Sequence, residues 1–313
     1  PVTIGQSDGI NTEITKGLIA VVTQPDKPVG RHGSVLRASA VKEYALEHGL
    51  PVLQPVKMKD PEFIEQLREY NADLQVVVAF RMLPEVVWDM PRFGTFNVHA
   101  ALLPQYRGAA PINWAVINGE TKTGVTTFFL DHDIDTGRII MQREFPIPDD
   151  ADVEYVYDGL MELGAGICQD TVDLVISNDG NVPSQPQRED IELKAAPKIF
   201  KETCQIDWNN SAKRIYDFVR GLSPYPGTWT TLASNSETEK TDASVMKIFK
   251  TAKTGTSCAG IAPGTLKTES NHLMVATNDE WLDIVELQAA GKKRMAARDF
   301  LNGFKHIADM HMK

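Results

Sequence analysis

Three side chains within residues 96–137 form a set that can hold a carbonyl group and move a proton. Asn97 and His99 occupy alternate positions of a short apolar run, and Asp135 lies in a turn-rich loop. If the run is a strand, its two-residue period places Asn97 and His99 on one face. An amide can donate to a carbonyl oxygen, an imidazole exchanges protons near neutral pH, and a carboxylate can orient the imidazole or favour its charged form. This set predicts acid–base chemistry at a carbonyl carbon.

A tertiary fold must bring these residues together, because 36 positions separate His99 from Asp135. The pattern predicts a helix over residues 110–118 and a strand over residues 124–130. We expect this strand to run parallel to the strand at residues 95–99, with the helix as the crossover. The loops that follow the two strands would then share the carboxyl edge of the sheet, where open α/β sheets bind ligands.

The same stretch resembles the folate-dependent formyltransferases. The motifs that carry the resemblance are Asn97-x-His99, Leu102-Leu103-Pro104 running into Arg107-Gly108-Ala109-Ala110-Pro111, and Asp135-Thr136-Gly137. Within this superfamily the chain is similar to the branch that acts on methionyl-tRNA, over roughly residues 17–305. Residues 1–15 depart from the strand and Gly-Thr-Pro turn with which that branch begins.

The resemblance implies transfer of a formyl group from 10-formyltetrahydrofolate, as co-substrate, to the α-amino group of initiator methionyl-tRNA. Asn97, His99 and Asp135 would be the catalytic residues. The folate itself carries the activated carbon, so the reaction would need no metal. By the same resemblance, the residues that would contact folate are Val78, Ala79, Phe80, Ala101, Leu102, Leu103, Pro104 and Asp131.

The acidic turn before Asp135 suggests a metal site at first sight, because Asp131, His132 and Asp133 are neighbours. Such short clusters more often form a solvated turn, and hard-cation loops need a longer series of ligands. We therefore expect no metal. Walker and GxGxxG patterns are absent from the sequence, which disfavours a nucleotide cofactor.

Two basic segments are candidates for contact with tRNA. Residues 24–39 form a loop by their Pro and Gly content, and carry Lys27, Arg31 and Arg37. Composition alone favours a solvated loop, whereas Gln24-Pro25-Asp26-Lys27-Pro28-Val29-Gly30-Arg31 is similar to the tRNA-reading insertion of the branch, where Arg31 would contact the acceptor stem. The second segment is either a solvated run or a phosphate-binding cluster, and its residues are Lys292, Lys293, Arg294 and Arg298.

Length and charge indicate two domains. The chain has 313 residues, 42% of them hydrophobic, and a net charge of -10, which suits two soluble domains. Residues 201–313 carry 15 Lys and Arg against 13 Asp and Glu, whereas the first 200 residues carry 17 against 29. The acidic charge therefore belongs to the first part, and local patches decide whether nucleic acid binds.

The predicted fold is α/β: a doubly wound, mostly parallel sheet followed by a small β-barrel of the oligonucleotide-binding type. We expect a catalytic domain at residues 1–177, a polar linker at 178–200 and a tRNA-binding domain at 201–313. The barrel is predicted from short strands with turns between them, followed by a terminal helix at residues 293–304. The predicted strands cover residues 227–233, 244–250, 264–267, 272–276 and 281–287.

The three cysteines have no CxxC spacing. The sequence contains no apolar run long enough to span a bilayer and no signal-peptide pattern. We expect a cytoplasmic monomer without membrane association.

Two alternatives to this function remain. A related enzyme could use another acceptor or water with the same trio, although glycinamide ribonucleotide formyltransferases resemble only the first domain and the hydrolase branch lacks the 24–31 motif. The other alternative is a non-catalytic tRNA-binding protein. The intact trio Asn97, His99 and Asp135 argues against it.

Overall fold

The computed structural model describes residues 17–29, 35–78, 82–234, 244–304 and 307–313. The described residues form two compact units that do not follow chain order. The first unit is drawn from residues 1–108, 124–145 and 158–194, and the second from residues 109–123, 146–157 and 195–313. The boundaries expected from composition, after residues 177 and 200, remain a prediction, because contacts rather than chain segments define these units.

The elements are numbered in chain order. The helices are α1 (Ala40–Glu47), α2 (Pro61–Glu69), α3 (Glu85–Trp88), α4 (Pro111–Ile117), α5 (Val153–Ser177), α6 (Ala212–Leu222) and α7 (Ala297–Gly303). The strands up to residue 200 are β1 (Val21–Val22), β2 (Lys27–Val29), β3 (Val35–Arg37), β4 (Val52–Leu53), β5 (Gln75–Val78), β6 (Thr95–His99), β7 (Arg107–Gly108), β8 (Lys122–Phe129), β9 (Ile139–Pro146) and β10 (Ala195–Ala196). The later strands are β11 (Thr228–Ser234), β12 (Ser244–Ser257), β13 (Leu266–Glu269), β14 (His272–Ala276), β15 (Glu280–Ala289), β16 (Met295–Ala296) and β17 (Met310–Met312).

Local capping explains where helices α1 and α2 begin. The Ser39 hydroxyl accepts the N–H of Lys42 at 3.1 Å and so caps α1. Asp60 caps α2 in the same way, and Pro61 occupies the first turn, where its missing N–H has no helical partner to lose. Strands β1 and β4 pair in parallel, as expected of an α/β sheet.

The sheet that carries the candidate site has the strand order β5-β6-β8-β9. Strands β5 and β6 are parallel. Strands β6 and β8 are antiparallel, with His99 opposite Thr126. The predicted parallel crossover from residues 95–99 to residues 124–130 is therefore wrong, although the α/β class is confirmed. The connection of residues 100–121 is long enough to carry the chain back to the other end of the sheet, so a helical pattern inside it does not imply a parallel return.

The strands of the second unit follow the order β13-β14-β15-β12-β11-β17, and β16 also pairs with β15. Thr265 bridges His311, and the Met312 N–H donates to the Gly264 carbonyl at 2.9 Å. The two ends of the order therefore meet, and the sheet nearly closes on itself. Gly264 has φ +84°, and a Cβ there would lie 2.1 Å from the Met312 carbonyl oxygen, so only glycine fits. These findings confirm the predicted small barrel.

Two strands of this barrel were not predicted. Strand β17 supplies one edge of the barrel. Strand β16 occupies the start of the predicted helix 293–304, because Met295 and Ala296 pair with Leu287 and Glu286 of β15. The terminal helix α7 consequently begins only at Ala297.

Helix α6 completes the barrel core. Ser211 caps it by accepting the N–H of Arg214 at 3.3 Å. Its residues Ile215 and Val219 are buried in the cluster that also contains Leu282 of β15. Burying a side chain of this size stabilises the fold by about 1.5–3 kcal/mol, so the apolar face of α6 holds the helix on the barrel.

Candidate active site

Strand β6 carries Asn97 and His99 on one face, as its alternation requires. His99 is 6% exposed, and its ring meets Phe128 edge-on with the centroids 6.4 Å apart. The Asn97 Oδ1 atom is buried and has no hydrogen-bond partner in the part of the chain that the structure describes. A buried, unpaired polar group costs about 1–3 kcal/mol. A ligand that supplies a partner would remove this cost, so the Asn97 amide marks a polar binding position.

The His99 ring is oriented by a main-chain carbonyl. Its Nε2 lies 2.9 Å from the Tyr106 carbonyl oxygen. A carbonyl can only accept, so Nε2 must carry the hydrogen in this contact. The Nδ1 atom is then the ring nitrogen that can take up a proton, and it faces Asp135 Oδ2 at 3.9 Å. The Tyr106 carbonyl, rather than Asp135, sets the tautomer.

Asp135 is held by one main-chain and one side-chain donor from other parts of the chain. It has φ +57°, an uncommon conformation for a residue other than glycine. Its Oδ2 atom accepts the Gly108 N–H at 3.0 Å, and its carbonyl accepts from Gln187 at 2.8 Å. The chain turns back directly after it at Gly137, where a Cβ would lie 1.7 Å from the Phe129 carbonyl oxygen. The structure therefore brings Asp135 to His99 through a returning loop, not through two parallel strands.

A single hydroxyl fixes the loop that follows His99. Thr126 Oγ1 donates to the Ala101 carbonyl at 2.6 Å and accepts the Leu103 N–H at 3.1 Å. Gln142 Nε2 donates to the Leu103 carbonyl at 2.8 Å and to Thr126 Oγ1 at 2.9 Å. The loop is therefore anchored on β8 and β9, and it presents the Tyr106 carbonyl to His99 from a fixed position.

These bonds divide the residues predicted to contact folate. Ala101 and Leu103 are 0% and 4% exposed, and their bonded main-chain groups face Thr126 and Gln142. Leu102 and Pro104 are half-buried.

The other predicted folate contacts lie at different places. Val78 ends β5 opposite Val98, within the sheet that carries the site. Asp131 is exposed, and its Oδ1 atom accepts the His132 N–H at 2.7 Å. Ala79 and Phe80 lie outside the described residues.

In the first unit, two of the predicted tRNA contacts stand side by side. Lys27 and Arg37 are exposed and are directly opposite each other in the antiparallel pair β2–β3. Directly opposite residues of a ladder point to the same side, so both cations belong to one face of the hairpin. Arg31 lies outside the described residues.

In the second unit, the predicted basic cluster falls on the turn between β15 and β16 and on α7. Lys292 and Lys293 are exposed and form no ion pair with another described residue. Arg294 is bound to Glu286 through its Nε at 2.9 Å and packs over Phe249. Arg298 is 3.7 Å from Asp299. The two lysines are therefore the freest cations of the four.

Within the described ranges, no three His, Cys, Asp or Glu side chains converge in a way that could hold a metal ion. No described helix combines the length and apolar character needed to cross a bilayer. His132, which the sequence places beside Asp131 and Asp133, instead lies 3.9 Å from Glu85 and meets the Trp88 ring edge-on.

Comparison with known proteins decides the family. Residues 7–172 match the family model described as formyl transferase, and residues 198–305 match the model of the formyl transferase C-terminal domain. This chain belongs to the formyl transferase family. The first match spans the sheet that carries the candidate site, and the second spans the barrel strands except β17, so the predicted resemblance to this family is confirmed.

Curated relatives of this formyl transferase cover nearly its whole length. A protein of Parabacteroides distasonis named methionyl-tRNA formyltransferase is 58% identical over 93% of this chain and 90% of its own. The protein of the same name from Flavobacterium psychrophilum is 43% identical over 96% of this chain and 92% of its own.

Solved structures of lower identity share the fold. HypX from Aquifex aeolicus has a TM-score of 0.57 at 18% identity, over 92% of this chain and 48% of HypX, so the chain spans about half the length of that protein. A HypX structure in complex with tetrahydrofolic acid has a TM-score of 0.53 at 19% identity, over 82% of this chain and 43% of HypX. The sugar 3N-formyl transferase WlaRD has a TM-score of 0.59 at 16% identity, over 88% of this chain and 99% of its own.

The residues that sequence reasoning missed act mainly through the backbone. The carbonyl of Tyr106 and the N–H of Gly108 hold His99 and Asp135, and such groups occur in every residue except for the proline N–H. The sequence places Gln187 in the predicted polar linker, yet the residue is only 9% exposed and contacts the Asp135 loop. Its one sequence signal is a polar residue among prolines, which also fits a solvated linker.

Proposed function

We propose that this protein transfers a formyl group from 10-formyltetrahydrofolate to the α-amino group of the methionine carried by initiator tRNA. The observation that carries the proposal is the name shared by relatives that are 43–58% identical over more than nine-tenths of the chain. A structure of the same fold holds tetrahydrofolic acid, which supports a folate as the formyl donor.

The Asn97 amide suits the reacting carbon. In the reaction the amine nitrogen bonds to the formyl carbon, the bond from that carbon to the folate nitrogen breaks, and the formyl oxygen carries negative charge in between. The unpaired, buried end of Asn97 offers an acceptor to the amine or, with the amide turned over, an N–H to the formyl oxygen. A donor fixed in a buried site stabilises such an oxyanion more than water does.

His99 and Asp135 suit the proton transfer. The amine loses one proton and the leaving folate nitrogen gains one, so a single group can carry it. His99 Nδ1 is free to do this because Nε2 is committed to the Tyr106 carbonyl. The Asp135 carboxylate lies 3.9 Å from Nδ1, so its negative charge stands beside the nitrogen that would carry the proton.

The exposed cations suit the acceptor. Lys27 and Arg37 on the hairpin of the first unit, and Lys292 and Lys293 on a turn of the second, can contact phosphates without breaking an ion pair to a described acidic residue. Arg31 lies between the two hairpin strands in the sequence. Its place in the basic motif makes it a further candidate for phosphate contact. Arg294, bound to Glu286, contributes less.

The test is release of tetrahydrofolate from 10-formyltetrahydrofolate, measured with methionyl initiator tRNA, with the uncharged tRNA, and without acceptor. Release that requires the methionyl-tRNA, together with formylmethionyl-tRNA as product, is the expected result. Equal release in all three samples would identify a hydrolase instead. Tight binding of tRNA without release would identify a non-catalytic binding protein.

A further inference from the structure

The side-chain amide of Gln187 joins the two chain segments that hold the Asp135 carboxylate. Its Nε2 donates to the carbonyls of Asp135 and Gly137 at 2.8 and 2.9 Å. Its Oε1 accepts from Arg107 Nε at 3.0 Å and from Arg107 Nη2 at 2.7 Å. Gln187 is 9% exposed, so these four bonds form away from bulk water.

The chemistry of the partners leaves the amide one orientation. A guanidinium only donates, and a carbonyl only accepts. The amide must therefore turn Oε1 to Arg107 and Nε2 to the two carbonyls. A carboxylate could keep the Arg107 bonds but would turn its second oxygen towards the oxygens of Asp135 and Gly137. An aliphatic side chain would leave all of these partners unpaired.

The bonds of Gln187 close a ring around the catalytic carboxylate. Arg107 is followed by Gly108, whose N–H donates to Asp135 Oδ2 at 3.0 Å. Gln187 thus links the Asp135 carbonyl to Arg107, and Arg107 is the neighbour of Gly108, whose N–H binds the Asp135 carboxylate. Asp135 keeps φ +57°, which a non-glycine residue retains only where its surroundings impose it. The two bonds to Asp135 and Gly137 on either side of Thr136 provide that constraint.

We propose that Gln187 is a positioning residue for formyl transfer: its amide sets the place of the Asp135 carboxylate, and through it the charge beside His99. This inference rests on the proposed function, because Asp135 matters here as part of the transfer site. A misplacement of about 1 Å can cost on the order of 10²-fold in rate. The loss should fall on kcat, since the four bonds of the Gln187 amide all go to Arg107 and to the loop of Asp135 and Gly137.

The experiment compares Gln187→Leu with wild type in the tetrahydrofolate-release assay with methionyl-tRNA. We expect kcat to fall about 10- to 10²-fold, with KM for each substrate within about threefold. Gln187→Glu should lose at least as much, because its second oxygen repels two carbonyls. Gln187→Asn keeps the amide on a shorter stem and should lie between Leu and wild type.

Gln185→Ala is the matched control. Gln185 lies two residues earlier, is exposed, and pairs with Ile139 through main-chain atoms only. Its activity should equal that of wild type. Thermal melts and folate titrations of every variant show whether the fold and the folate site persist.

A second comparison, made in a variant that lacks the Asp135 carboxylate, separates positioning of that carboxylate from general support of the fold. Asp135→Ala keeps the carbonyl that Gln187 binds but removes the carboxylate. Adding Gln187→Leu to Asp135→Ala should change kcat by less than about threefold, because residues that act as a unit are not additive. The same fold loss in both backgrounds would overturn the proposal, as would wild-type kcat in Gln187→Leu. An inactive wild type would instead refute the proposed function, and with it a positioning role of Gln187 in formyl transfer.

Discussion

Asp135→Asn removes one charge from the site at almost constant shape. The Oδ2 atom lies 3.9 Å from His99 Nδ1, and the two side chains are 13% and 7% exposed. Two unit charges at this distance attract by about 1 kcal/mol in water and about 4 kcal/mol at an effective dielectric constant of about 20. The charged imidazole would lose this stabilisation. Since about 1.4 kcal/mol is tenfold in rate, kcat should fall between about 5-fold and 10³-fold.

The assay is the initial rate of tetrahydrofolate release at saturating methionyl-tRNA. The asparagine can still accept the Gly108 N–H through its side-chain oxygen, so KM for the folate should remain within about threefold. Asp133→Asn is the matched control, because Asp133 is an exposed acidic residue of the same turn. If Asp135→Asn retains wild-type kcat, the charge of Asp135 has no part in the reaction and the electrostatic reasoning is wrong.

The remaining predictions concern tRNA and acid stability. Arg31→Ala should raise KM for methionyl-tRNA and flatten its salt dependence while folate affinity stays constant; unchanged KM with a lower melting temperature would make its loop structural. The double variant Lys292→Glu and Lys293→Glu should weaken tRNA binding, as added salt does in wild type, and equal affinity of variant and wild type at one salt concentration would remove this turn from the tRNA surface. The hydrogen bond from Lys253 holds the pKa of Asp149 below its ordinary value of 3.8, so the ionised carboxylate contributes stability above that pH and loses it as the pH falls through the lowered pKa. Urea unfolding should find wild type more stable than Asp149→Asn at pH 6, and the difference should shrink as the pH falls below 3.8; a constant difference would exclude this cause.

The tRNA predictions depend on which cations are free. The sequence places Lys292, Lys293 and Arg294 in one run, and the structure divides them, because Glu286 binds Arg294 across the β15–β16 pair. Reversing the two lysines therefore tests phosphate contact, whereas changing Arg294 would also break an ion pair and its packing on Phe249.

Local order determined a large part of the candidate site. The two-residue period of a strand suffices to put Asn97 and His99 on one face, and it needs no knowledge of the rest of the fold. The short apolar segments separated by turns in residues 201–313 predicted a small barrel, because such segments can bury their inner faces only by pairing with one another. The motifs around His99 and Asp135 predicted the family, which the two family matches confirm.

The tertiary structure alone decided how the site is held together. The direction of β8 depends on the end of the sheet at which residues 100–121 bring the chain back. A helical pattern within these residues fits both a parallel and an antiparallel return. The Tyr106 carbonyl that orients His99 belongs to the backbone, so the identity of residue 106 does not reveal it. In the sequence Gln187 belongs to a polar linker, and only the fold shows that it contacts Asp135, which lies 52 positions earlier in the chain. Hydrogen bonds between distant segments depend on where the backbone passes, and that is settled only when the whole sheet has formed.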